Sequence, residues 1–385
     1  MIYREACNET VSLLGMGCMR LPVIDGDDAR IDMKKSSEMI AFALNHGINY
    51  FDTAWPYHGG TAEAAVGEIL ARYPRSSYYL ATKFPGHAAG SFEKIADIFT
   101  EQLARTKAGY FDFYLLHNVC EADIDAYCAA APMLGAYLRQ MKEEGNVRHI
   151  GFSVHGGPEI ISRILESYGD LMEFCQIQLN WFDWEYLGTK ETVVYLNTCN
   201  IPIWVMEPVR GGRLSELPAS VEAKRAVLFP QESATQTALR YLQAIPGVRM
   251  ILTGASSLEQ LAENIAVFAM FNQLTEDECS KLYALGKTIE FGVPCTGCNY
   301  CTSVCPAELN IAKILRISND FEFSGNQFTT FMALRGLPET KLPFSCTGCR
   351  TCETVCPQGI HIASAIAEFS TKIRIDPHPR NPYRQ

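Results

Sequence analysis

The feature that most constrains this chain is a cysteine pattern written twice within its last hundred residues. Cys295, Cys298, Cys301 and Cys305 with Pro306 spell C-x2-C-x2-C-x3-C-P, and Cys346, Cys349, Cys352 and Cys356 with Pro357 spell it again. Three thiolates two residues apart wrap one iron–sulfur cubane, while the fourth, held back by the proline turn, faces away and ligates the other. The pattern predicts two 4Fe-4S clusters with crossed ligand sets: Cys295, Cys298, Cys301 with Cys356, and Cys346, Cys349, Cys352 with Cys305. A pair of zinc sites fits less well, because zinc motifs bring two or four ligands per site and often histidine. Beyond the ligands, PCTGCNYCTSVCPAELNIA and SCTGCRTCETVCPQGIHIA align without a gap. That is an internal duplication, and it implies pseudo-twofold packing.

Fifteen cysteines would suggest disulfides in a short secreted chain, but eight of them in two tight groups suit metal binding in a reducing compartment. Cys7, Cys18, Cys120, Cys128, Cys175, Cys199 and Cys279 sit singly among apolar neighbours, where cysteine packs as a small hydrophobe. The duplicated segment resembles the bacterial two-cluster ferredoxins. Its stretch from Pro306 to Ser345 is long for the compact members, so it is similar to the helical two-cluster form. Residues 308–317 and 361–374 space their apolar residues three and four apart, which predicts a helix after each motif. Gly292 and Pro294 punctuate the entry, and the domain boundary is set near residue 290, with the cluster domain over 291–385.

A chain of 385 residues with 48% hydrophobic content supports one large domain plus such an appendage. Before residue 285, short apolar runs alternate with amphipathic ones, the pattern of repeated βα units. Eight runs read as strands: LLGMG (13–17), INYFD (48–52), YYLATK (78–83), FDFYLLH (111–117), HIGFS (149–153), FCQIQL (174–179), PIWVMEP (202–208) and RMILTG (249–254). Helix-like runs such as KKSSEMIAFALNHG, AEAAVGEILARY, FEKIADIFTEQLARTKAG and MLGAYLRQMKEEG lie between them, several ending at glycine. The predicted fold is α/β, a (β/α)8 TIM barrel over residues 1–290, followed by the small, mainly helical ferredoxin-like domain. Gly15-x-Gly17 is a weak dinucleotide-fold signal, since Arg20 stands at the third glycine position and no acidic partner follows.

Such a barrel carries its chemistry at the C-terminal ends of the strands. Asp52, Lys83 and His117 end the second, third and fourth strands, and Tyr57 follows Asp52 by five residues. Singly, each has a bland explanation: a helix cap, a solvated lysine, a core histidine, a packed tyrosine. Four together at one mouth argue for chemistry. A tyrosine is a poor acid, and a neighbouring ammonium stabilises its phenolate and lowers its pKa. Lys83 is that ammonium, Asp52 holds it, and His117 orients a carbonyl by donating a hydrogen bond.

At GINYFDTAWPYHGGTAEAAVGEIL, YLATK, FDFYLLH and GASSLEQLAENI the chain resembles the aldo/keto reductase family, over roughly residues 10–285. The resemblance implies a nicotinamide cofactor lying across the barrel mouth without a Rossmann fold, and hydride delivery to a carbonyl that tyrosine protonates. Asp52, Tyr57, Lys83 and His117 match the family tetrad. Ser153 matches the serine of a Ser-Asn pair on strand five, but Val154 follows where asparagine is expected. Gln176 matches the glutamine beneath the nicotinamide ring, and Glu263 with Asn264 the pair that meets adenine. Within the pattern opening at Gly254, Ser256 and Gln260 resemble 2′-phosphate contacts, which favours NADP(H) over NAD(H). After strand seven the family's S-P-L-G-x-G is replaced by EPVRGGRL, where Arg210 and Arg213 offset Glu207 beside a pyrophosphate. His58 replaces a glycine after the tyrosine, so it narrows the pocket or adds a donor.

Hydride transfer moves two electrons at once, so appended clusters imply a one-electron partner: a ferredoxin, a flavodoxin or a flavoprotein. The expected substrate is a small-molecule carbonyl or alcohol. The rival readings are a non-catalytic, nucleotide-binding redox sensor and clusters that are purely structural. A net charge of −10 with no basic run argues against nucleic acid, and no run of about 18 apolar residues argues for a membrane span. With no secretory pattern at its start, the protein is expected in the cytoplasm.

Overall fold

The computed structural model describes residues 1–373 apart from 89, 290, 291, 296 and 326. The chain divides into two compact units, Met1–Gly286 and a second that begins at Lys287. In the first, eight parallel strands close a barrel: β1 (Leu14–Gly17), β2 (Tyr50–Asp52), β3 (Tyr79–Phe84), β4 (Phe111–Val119), β5 (Val147–Val154), β6 (Phe174–Gln178), β7 (Ile203–Met206) and β8 (Val248–Thr253). Neighbours in sequence are neighbours in the barrel, and β8 closes onto β1 with Ile251 opposite Leu14. Each strand is buried on both faces, which is why these segments read as near-continuous apolar runs.

The barrel interior is filled, not hollow. Tyr50, Ala81, Phe113, Leu115, Phe174, Trp204, Met250 and Leu252 pack into one cluster with Ala6 and Val11. Those last two belong to an antiparallel hairpin, Tyr3–Ala6 paired with Glu9–Ser12, which plugs the N-terminal end of the barrel. A second hairpin, Val23–Ile24 with Asp27–Ile31, stands between β1 and the first helix in the chain. The sequence reading contained neither, because strands of two to five residues with mixed polarity carry little periodicity. That first helix, Met33–Asn45, starts at Asp32, whose carboxylate accepts from the Lys35 N–H at 3.0 Å. The helix read as starting at Met133 in fact spans Ile124–Glu143. Pro132 lies inside it and forfeits only the bond to the Cys128 carbonyl, while Tyr127, Leu134 and Leu138 bury its inner face.

The second unit is helical, with segments Tyr300–Ser303, Ile311–Ser324, Gln327–Arg335 and Ile362–Lys372. Asn310 caps the second by accepting from the Lys313 N–H at 3.1 Å, so that helix begins three residues later than its apolar spacing suggests. The last helix ends at Lys372, and Arg374 of the predicted span lies outside the described residues. Leu309, Ile311, Ile314, Leu315, Ile360, Ile362, Ile366 and Phe369 form its core together with Cys301 and Cys352. The duplication is visible in the backbone. Gly297 and Gly348, Asn299 and Arg350, and Glu308 and Gly359 are equivalent pairs, and all six have positive φ.

Candidate active site and cluster sites

Because β2, β3 and β4 run parallel, Asp52, Lys83 and His117 arrive on one rim. The Lys83 ammonium spends its three donors there: on Asp52 Oδ1 at 2.5 Å, on the Thr53 carbonyl at 2.8 Å and on Tyr57 Oη at 3.2 Å. Lys83 and Asp52 are both buried. Tyr57 and His117 meet edge to face with ring centroids 5.9 Å apart. The structure thus brings all four residues together.

Electrostatics at the mouth follow from burial and this pairing. Burial works against the Lys83 charge, but Asp52 and Tyr57 outweigh it and hold the ammonium above the ordinary lysine value. Burial lifts the Asp52 carboxyl above its ordinary value even though the paired Lys83 opposes this. Tyr57 departs from the sequence expectation. Its burial outweighs the neighbouring ammonium and holds the phenol above its ordinary value, so the resting group is a neutral proton donor. Burial, then the nearby His87, Lys83 and His155, push His117 well below the usual histidine value, leaving a neutral imidazole.

The buried polar atoms near this rim that lack a hydrogen-bond partner among the described residues include His117 Nδ1, Asn118 Nδ2 and Gln176 Oε1. A ligand that brings a carbonyl and an amide would satisfy them, which is what a nicotinamide with a carbonyl substrate presents. Ser153 is engaged from within: its hydroxyl accepts the Asn118 N–H at 2.8 Å and donates to the Leu116 carbonyl at 3.5 Å. This bond supports Asn118 at φ 58°, inside the register shift between Leu116 and Val119. Val154 is buried at the end of β5. Asn118 is the polar residue the sequence reading missed. The only signal was asparagine's tolerance of left-handed backbone, which needs the irregular β4 to become meaningful.

The remaining nucleotide candidates spread along β8 and the helix Leu258–Val267. Gln260 Oε1 accepts from the Ser256 N–H at 2.9 Å and its hydroxyl at 3.2 Å. Asn264 Nδ2 donates to Thr253 Oγ1 at 2.7 Å, and Glu263 accepts from the Ser233 hydroxyl at 2.5 Å. Gly254 follows β8 directly. Arg210 is buried; its Nε donates to Asp183 Oδ1 at 3.0 Å, and its guanidinium lies over the rings of Phe182 and Tyr186. It therefore braces the stacked rings of Phe182 and Tyr186, whose centroids are 4.9 Å apart. His58 neither narrows the pocket nor offers a donor to it. Its Nε2 accepts the Leu21 N–H at 3.1 Å and its Nδ1 bonds the Asp28 carbonyl at 2.9 Å, which ties the second hairpin to the turn bearing Tyr57. His58 has φ 54°, the left-handed backbone that glycine adopts freely.

In the second unit, Cys295, Cys298, Cys301 and Cys356 line one cleft with Leu315, Ile360 and Ile362. Cys305, Cys346, Cys349 and Cys352 line another with Leu309, Ile311 and Ile366. The sets are crossed between the repeats. Among the described residues no three His, Cys, Asp or Glu side chains converge on a point that would hold a single ion. Apolar walls, four thiols and loops of alternating backbone handedness suit a compact anionic cluster.

Residues 13–227 match the aldo/keto reductase family, and residues 294–361 match the 4Fe-4S dicluster domain. The chain belongs to the aldo/keto reductase family, and it is an oxidoreductase of that family joined to a 4Fe-4S domain. The uncharacterized oxidoreductase YqkF of Bacillus subtilis (strain 168) is 28% identical over 305 residues, which are 71% of this chain and 92% of that protein. L-galactose dehydrogenase of Arabidopsis thaliana is 28% identical over 293 residues, 70% of this chain and 88% of the plant enzyme. Among solved structures, the holo form of the aldo-keto reductase AKR11C1 from Bacillus halodurans superposes with a TM-score of 0.60 at 26% identity, covering 74% of this chain and 96% of its own.

Proposed function

We propose that the protein interconverts a small-molecule carbonyl and its alcohol at Tyr57, using NADPH in preference to NADH, and that two 4Fe-4S clusters exchange single electrons with a partner. The observation that carries this reading is the triple donation of Lys83, which links Asp52 to Tyr57 Oη inside a buried mouth. When bound, the nicotinamide supplies or accepts a hydride and the clusters hold single electrons. Tyr57 gives its phenolic proton to the carbonyl oxygen, and Lys83 stabilises the phenolate left behind. Asp52 keeps Lys83 charged and in place. Neutral His117 orients the carbonyl. Gln176 and Asn118, with their unpartnered amide atoms, hold the carboxamide. The preference for NADPH rests on Ser256 and Gln260.

The eight motif cysteines are the proposed cluster ligands, in the two sets that line the clefts. A cluster accepts electrons but no hydride, so a flavin-bearing partner is the chemical class that divides the pair between them. A ferredoxin or flavodoxin then completes the one-electron circuit. Oxygen-labile clusters suit a low-oxygen bacterial cytoplasm, and among the described residues no helix is long and apolar enough to cross a membrane.

The test is anaerobic. Tyr57→Phe should lower carbonyl reduction by about 10²- to 10⁴-fold, the usual contribution of a positioned proton donor. It should leave the broad visible absorbance of the clusters and its bleaching by dithionite intact. An unchanged rate would favour a nucleotide-binding redox sensor, which needs no proton donor. Bleaching by NADPH without any partner would show that nicotinamide and clusters share electrons within one chain.

A further inference from the structure

We infer that Arg20 receives the diphosphate of the dinucleotide, and that Glu207 is the partner it gives up in doing so. This rests on the nicotinamide reading above and adds a residue to it. Arg20 ends the turn Cys18–Arg20 that leaves β1 at the C-terminal rim. Its side chain runs across the end of β8: a Cβ at Gly254 would stand 3.4 Å from its Cδ and 3.8 Å from its Nε. Its Nη2 reaches the loop after β7, 3.4 Å from where a Cβ at Gly211 would stand. One guanidinium therefore bridges the two loops that the nucleotide reading assigns to pyrophosphate and adenosine.

Nothing else claims this guanidinium firmly. Its ion pair with Glu207 Oε1 is 3.8 Å long, beyond hydrogen-bond reach, and among the described residues it makes no hydrogen bond. The two side chains are 39% and 23% exposed, so solvent weakens the pair further. Of the cations in the loop after β7, Arg210 is held by Asp183. Glu207 is fixed in place. Its backbone has φ 56°, and its carbonyl accepts from Asn180 Nδ2 at 3.1 Å and from the Arg210 N–H at 3.0 Å. A diphosphate arriving at this rim meets the Glu207 carboxylate unless a cation stands between them. Arg20 is that cation, and its planar fork of donors fits phosphate oxygens better than a long exposed pair. Exchanging Glu207 for phosphate replaces a weak contact by charge-assisted hydrogen bonds.

This exchange predicts opposite signs for two substitutions, which a merely structural role would not produce. Affinities of the full-length, cluster-loaded protein for NADPH, NADH and ADP would be measured by calorimetry at two salt concentrations. Arg20→Met should raise Kd for all three by about 10- to 100-fold, the range for a charge-assisted hydrogen bond, and flatten the salt dependence. Glu207→Gln should lower Kd several-fold. Any other pair of signs overturns the exchange. Should Arg20→Met fail to fold, Glu207→Gln decides alone: tighter binding supports the inference, unchanged or weaker binding overturns it. A wild-type protein that binds none of the three nucleotides would instead overturn the nicotinamide reading itself.

Discussion

The barrel mouth and the cluster clefts are both polar sites set in apolar surroundings, but they are completed differently. At the mouth, Asp52, Lys83 and Tyr57 satisfy one another through bonds made by folding, and the strands that carry them pack around a filled interior. In the second unit, eight thiols line two clefts whose remaining walls are aliphatic, and two of the thiols, on Cys301 and Cys352, belong to the core itself. The first site is organised by the fold. At the second, clusters held by these thiols would add their binding energy to that of folding. The barrel's larger size lets it bury a greater fraction of its surface on folding than the smaller second unit can.

The comparison is broken most directly at Lys83. Lys83→Met should destabilise the barrel by about 3–5 kcal/mol, because Asp52 is left buried and unpaired, and should abolish carbonyl reduction. Adding Asp52→Leu should return much of the stability and none of the activity. Denaturant unfolding monitored by tryptophan fluorescence would show this; a single mutant as stable as wild type would mean that the mouth is not held together by the ion pair. A smaller effect is expected from removing iron. Chelation under mild oxidation should make the chain beyond Lys287 protease-sensitive while the barrel's circular dichroism and nucleotide affinity persist. Loss of both together would erase the distinction between the two units.

The smallest effect exploits the duplication. Asn310 caps its helix, whereas the equivalent His361 makes no side-chain cap bond to the helix Ile362–Lys372. His361→Asn should stabilise the second unit by about 1 kcal/mol and Asn310→Ala should cost a similar amount, both read as shifts in its unfolding midpoint with the barrel's unchanged. Equal and null responses would mean that cluster binding, not helix capping, sets the stability of both repeats.

Much of this was legible in the residues, for identifiable reasons. Barrel strands buried on both faces must be apolar throughout, so FDFYLLH and YYLATK stand out, and a charged residue ending such a run has few explanations other than a site. The cysteine spacing is equally plain. Other features depended on neighbours distant in sequence. The hairpin Tyr3–Ala6 with Glu9–Ser12 has meaning only because an open barrel end needs filling. His58 looked like a pocket residue until Leu21 and Asp28 claimed both its ring nitrogens.

The sequence by itself determined what is local and periodic: the βα alternation, the repeated ligand spacing, and the residue types at the strand ends. Which electrostatic influence prevails at Tyr57, which arginine stands over the nucleotide rim, and whether Asn118 points an unmatched amide at the mouth were decided only by the tertiary structure. Desolvation, ion pairing and left-handed backbone depend on what packs around a group, and those neighbours come from strands and loops far apart along the chain.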